Sequence, residues 1–151
     1  MPASWKQATL RRLNKFRSLP AVYRKTFLAS FFVLVTVRLG LSLLRYKRLR
    51  RMMPEAVIEP PVELLDLLGW CIPRAAKFAW RASCLTQALA MQFMLAQKGY
   101  RVEMRVGARR DAQGLFQAHA WLLSNGRVVL GGTENELTSY SQFNVLSPSP
   151  Q

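Results

Sequence analysis

Apolar positions change their spacing along the chain, and the changes mark out the elements. In "WKQATLRRLNKF", Trp5, Leu10, Leu13 and Phe16 can share one side of a helix. Pro20 then breaks that helix or opens the next. Phe27 to Leu44 is an apolar run interrupted by one charge, Arg38. "MMPEAVIEPP" carries Pro54, Pro60 and Pro61 and reads as a linker. "VELLDLLGWCIPRAAKFAW" predicts a helix interrupted at Gly69 to Pro73. "SCLTQALAMQFMLAQKGY" predicts a strong helix, with Ser83 as N-cap, Gln87 near the place where a capping box closes, and Lys98-Gly99 as the stop. From there the period shortens to two. Val102, Met104 and Val106 alternate with polar residues, as in a half-buried strand. "RRDAQG" is a turn, "LFQAHAWLL" a second strand, and Asn125-Gly126 a hairpin turn suited to positive φ. "RVVLGG" is a third strand, and a weaker fourth falls within "LTSYSQFNV". Helices first and an antiparallel meander after them make the class α+β. A two-residue turn would pair Ser124 with Arg127, Trp121 with Leu130 and His119 with Gly132.

Charge divides the chain at the same place as the pattern. Residues 1–51 hold thirteen Lys or Arg and no acid, whereas residues 52–151 hold nine basic and eight acidic residues. The expected organisation is a basic, apolar helical arm over 1–53, a Pro-rich linker over 54–61, and a nearly neutral domain over 62–151. Three readings of the apolar run stay open. It docks on the domain with Arg38 reaching solvent, it lies at a membrane surface or another protein, or it spans a bilayer. Apolar residues at about −0.3 to −0.6 kcal/mol each are offset by about +3 for a central Arg, so a span is marginal. The flanking cations would attract anionic lipid. Nucleic acid is disfavoured, because the cations flank a greasy helix instead of interleaving with exposed aromatics. The expected location is the cytoplasm, with the arm able to associate with the inner face of the membrane.

The chemistry-bearing residues are few. Cys71 and Cys84 make no disulfide framework, and with one histidine they make no metal cluster. Cys84 falls at the start of the strong helix, where unpaired N–H groups and the helix dipole favour a thiolate and could hold an oxyanion. Arg81 nearby would act in the same direction. His119, the lone imidazole, lies 35 residues on in a strand, and a helix start packed on that strand could bring nucleophile and base together. Equally, a lone Cys in a helix is often a small buried hydrophobe, and a lone His on an apolar face is often a core residue. Cys71, beside Trp70 and before Pro73, reads as core.

"SCLTQALAMQFMLAQKGYRVEMRVGARR" followed by "FQAHAWLLSNGRVVLGG" resembles the leader peptidases of lasso-peptide biosynthesis, a transglutaminase-like cysteine protease family. The resemblance rests on Ser83-Cys84-Leu85, Gly99, Gly107, Ala118-His119-Ala120-Trp121 and Gly126, and covers roughly residues 80–132. It implies a transglutaminase-like or papain-like core with Cys84 as nucleophile and His119 as base. The reaction would cut an amide in a ribosomally made precursor through an acyl-enzyme and would need no cofactor. The family's leader-recognition domain is small and winged-helix-like. Residues 1–55 read instead as basic helices, so the resemblance is to the split form. That form works with a precursor peptide, a separate leader-binding protein and an ATP-dependent macrocyclase. One departure stands out. The family's acid lies about a dozen positions after the His, where this chain has Gly131 and Gly132. Glu134, the nearest acid downstream, could fold back to orient the imidazole; Asn135 or a backbone carbonyl could serve instead. Trp121 shares the histidine's face and could wall the site, with Arg81 as a second substrate contact. A catalytically degenerate scaffold that binds precursor or cyclase without cutting is the rival reading, as is acyl transfer to an amine instead of water.

Overall fold

A computed structural model describes residues 14, 16–44, 46–80 and 82–143. The expected helix of Trp5, Leu10 and Leu13 lies outside the described residues. Among the described residues the helices include α1 Ala21–Leu43, α2 Tyr46–Arg51, α3 Val62–Ala76, α4 Cys84–Ala96 and α5 Glu134–Leu137. Four strands, β1 Glu103–Arg110, β2 Phe116–Ser124, β3 Arg127–Leu130 and β4 Ser141–Phe143, form one antiparallel sheet in the order β3-β2-β1-β4. The α+β class read from the pattern is the observed one.

The layers follow from which positions are apolar. In α3, Leu65, Leu68, Ile72 and Ala75 recur at helical spacing and are buried. In α4, Ala88, Leu89, Ala90 and Met91 are buried in succession, so its middle is enclosed on all sides. These residues form one core with Met104, Ala120, Leu122 and Leu130 from the sheet and with Leu34 and Val37 from α1. Thus α1 packs on α3 and α4, α4 packs on β2, and α3 packs on β3. The arm contributes Leu34, fully buried, to the same core as the domain. Ser30 is buried with it, its hydroxyl 3.8 Å from the Met94 sulfur. The proline-rich stretch is pinned rather than free. Ile58 makes a parallel bridge to Tyr100, donating its N–H to the Gly99 carbonyl at 3.1 Å and accepting from Arg101 N–H at 2.7 Å.

Two expectations need correction. The helix read as interrupted at Gly69 to Pro73 is continuous as α3. Pro73 removes one intrahelical N–H donor, and the gap is tolerated because α3 is clamped on both sides. A Cβ on Gly69 would stand 3.3 Å from the Val129 carbonyl oxygen, so glycine permits the close approach to β3. The β2–β3 register is also shifted. Ser124 faces Arg127 as expected, at a turn with Asn125 and Gly126 both at positive φ. Between Leu122 and Leu123, however, the ladder slips, and Leu122 faces Leu130. One extra residue on β3 is a bulge, which moves everything beyond it by one position.

Candidate active site

Helix α4 starts as its sequence predicts. Ser83 has extended dihedrals and accepts the Thr86 N–H on its hydroxyl at 3.3 Å. No capping box forms with Gln87, whose amide donates to the Ala82 carbonyl at 3.3 Å. Cys84 is therefore the first helical residue, and its thiol is partly exposed. The Gln87 N–H goes to the Ser83 carbonyl at 3.0 Å. Those of Cys84 and Leu85 have no acceptor among the described residues. Two donors at a helix N-terminus thus flank the sulfur, the arrangement that receives developing negative charge. Helix α4 ends at Ala96, and Gly99 at φ +79° turns the chain into the sheet.

His119 sits mid-strand on β2, opposite Gly107 of β1. Its Nε2 is hydrogen-bonded to the Gly131 carbonyl. A carbonyl oxygen only accepts, so Nε2 carries the proton and Nδ1 is the basic nitrogen of the neutral ring. The ring is also held by packing. Trp121 stacks at 6.2 Å between centroids, and Tyr140 lies at 5.5 Å. Gly107 and Gly131 make room for this stack. A Cβ on Gly107 would stand 2.8 Å from Trp121 Cη2, and one on Gly131 2.8 Å from Trp121 Cβ. Trp121 is almost wholly buried, so the indole supports the imidazole from beneath rather than walling an open site.

The two chemical residues are not joined. Among the described residues no hydrogen bond links the Cys84 thiol to His119. Strand alternation explains why. Ala120 and Leu122 belong to the core beneath α4, whereas His119 and Trp121 point to the other face, with Gly107 and Tyr140. The contacts of His119 go to Gly131, Trp121 and Tyr140, and among the described residues no hydrogen bond reaches the sulfur.

Of the orienting groups considered for His119, the backbone carbonyl is the one observed, that of Gly131. Glu134 opens the short helix α5 and makes no side-chain hydrogen bond to His119 among the described residues. Glu136 is the carboxylate whose charge is felt with the imidazole. It accepts from the Thr133 N–H at 2.9 Å and hydroxyl at 3.0 Å. The Thr133 N–H, then its hydroxyl, and then the charges of Arg109 and His119, hold the Glu136 carboxyl below the usual carboxylate range. Arg109 also lies over the Tyr140 ring at 4.6 Å and donates to Ser139 at 3.2 Å. The sequence reading missed Gly131, Tyr140 and Glu136. Thr133-x-x-Glu136 is a visible capping motif that could have flagged the last; a backbone carbonyl leaves no side-chain signature. Arg81 lies outside the described residues. Cys71 is fully buried, as its sequence context suggested, and burial, slightly offset by Arg74, pushes its thiol up to about 11. No group of three or more potential metal ligands occurs among the described residues.

Comparison with known protein families gives a match that spans both Cys84 and His119. A family model described as the transglutaminase-like superfamily aligns with residues 31–146. No curated protein and no solved structure matches. The matched stretch takes in most of α1, all of α3 and α4 and the whole sheet, so the chain belongs to the transglutaminase-like superfamily.

Proposed function

We propose that this protein is a cysteine peptidase that removes the leader from a ribosomally made lasso-peptide precursor. Cys84 Sγ attacks the scissile carbonyl, and its proton passes to His119 Nδ1 and then to the departing amine of the core peptide. The leader stays on sulfur as a thioester until water releases it as a carboxylate. The observation that carries the reading is the position of Cys84: first residue of a capped helix, partly exposed, with its own and the Leu85 N–H without an acceptor among the described residues and so available to an oxyanion. Superfamily membership supports it, as does a histidine whose Nε2 is held by a backbone acceptor. No hydrogen bond joins thiol and imidazole among the described residues, and this adds a requirement. Sulfur and Nδ1 must come within hydrogen-bond reach before the pair can act. Binding of precursor together with a winged-helix-like leader-binding protein is the natural source of that energy in a split system. An ATP-dependent macrocyclase would take the released core, and the working compartment would be the cytoplasm.

The test is reconstitution. The full chain, the leader-binding protein and precursor should release leader, read by mass spectrometry. Cys84→Ala and His119→Ala should each lower release at least 100-fold, and Cys71→Ala, if it folds, should keep most of it. Leader released by Cys84→Ala would refute the assignment. The lack of a thiol–imidazole hydrogen bond among the described residues favours a second reading, a scaffold that binds precursor or cyclase without cutting. That reading expects unchanged precursor in every reaction and undiminished precursor binding by Cys84→Ala. A product heavier by an added amine would instead mark acyl transfer.

A further inference from the structure

Helix α1 presents two opposed faces. Ser30, Leu34 and Val37 are buried against α3 and α4. On the other side Leu28, Phe32, Leu39 and Leu43 are 49%, 66%, 56% and 81% exposed. At 100° per residue these four fall within an arc of roughly 60°, centred about 180° from the buried set. They form a stripe about 22 Å long. Only 17% of the most apolar window of α1 is buried, so this is not the enclosed core helix of a globular protein. Between Leu28 and Leu43 no charge lies on the stripe itself. Lys25 is exposed one turn before Leu28, and Arg38 is turned to Ser42, donating at 2.9 Å. Beyond Leu43, α2 brings Lys47, Arg48 and Arg51. With Leu43 and Leu44 these line a shallow pocket of about 510 Å³.

We propose that this face is a membrane-docking surface: α1 lies in the plane of a bilayer rich in anionic phospholipid, with lipid headgroups in the Leu43–Arg51 pocket. Charge complementarity selects this occupant. Residues 1–51 carry thirteen cations and no acid, so a second copy would oppose like charge with like charge. A bilayer surface offers acyl chains to the stripe and anionic phosphates to both of its ends. The buried face decides between lying and crossing. Ser30, Leu34 and Val37 tie α1 to the core along its middle, which fixes the helix to the membrane surface. The inference does not rest on the chemistry of Cys84.

Flotation of the full chain with vesicles tests it. Vesicles of phosphatidylcholine with 30% phosphatidylglycerol should carry the protein up a sucrose gradient (about 30% being enough for several cations to find anionic partners), and pure phosphatidylcholine should carry at least ten times less. Lys47→Glu/Arg48→Glu and, separately, Phe32→Ser/Leu39→Ser should each reduce the floated fraction at least tenfold. Unchanged thermal unfolding would show that these exposed sites leave the fold intact. Alkaline carbonate should strip the protein from the vesicles. Equal flotation on neutral vesicles, failure to float, or resistance to carbonate would each overturn the proposal, the last in favour of a span. So would a dimer in vesicle-free solution that Phe32→Ser/Leu39→Ser converts to monomer.

Discussion

Gly131 serves His119 through its backbone and Trp121 through its missing side chain. It has φ +99°, and a Cβ there would meet the Ala120 carbonyl oxygen and Trp121 Cβ at 2.8 Å. Gly131→Ala should therefore cost about 1–3 kcal/mol in backbone strain alone. In a peptidase it should also lower kcat by displacing the imidazole. Thermal unfolding reads the first effect and leader release the second. Cys71 gives a contrasting prediction. Its thiol is fully buried and titrates at about 11. The buried thiol favours the neutral form, so its stability contribution is complete below the unfolded cysteine value of about 8.5. It is lost as pH rises through the interval up to about 11. Native protein at pH 8 should thus label at Cys84 within minutes and at Cys71 only after denaturant is added. At this scale the sequence is legible where a side chain carries the signal. Ser83 as a helix cap and Cys71 as a core residue were each readable from local context. The Gly131 carbonyl was not singled out, since any residue has one.

Among elements, the helices and strands were legible and their irregularities were not. A proline usually ends a helix, yet α3 runs through Pro73 because packing against β3 and α4 outweighs one lost hydrogen bond. The bulge on β3 has no composition cue, because "RVVLGG" reads the same in either register. It decides which backbone group reaches His119. The Thr133 to Tyr140 segment covers the histidine face and depends on the Thr133–Glu136 contacts. Thr133→Ala should loosen it by about 1 kcal/mol, seen as faster amide exchange over 133–140. Because the folded state lowers the Glu136 pKa, its contribution is present above the ordinary glutamate value of about 4.3 and is lost as pH falls below it. Glu136→Gln should flatten that acid limb of the unfolding curve.

For the whole molecule, composition divides the chain into a basic arm and a nearly neutral remainder. Docking of the arm on the domain was one of the readings left open, and the two parts do share one core; what the sequence did not show is which face docks. Only three residues of α1 are buried, and their spacing is hidden in a run that is apolar on every side. Leu34→Ala should cost about 2–5 kcal/mol. It should also lower a single cooperative transition, followed by Trp fluorescence and by circular dichroism together. Two transitions, with only the helical signal affected, would mean that the arm unfolds alone. The order of the layers has a further consequence. Helix α1 stacks on α3 and α4, and these stack on the sheet. With layers about 10 Å apart, the outer side of the sheet stands about 20 Å from the stripe of α1. A protein resting on its first helix would thus turn the His119 side towards open water, where a long, soluble polypeptide can arrive without crossing any lipid.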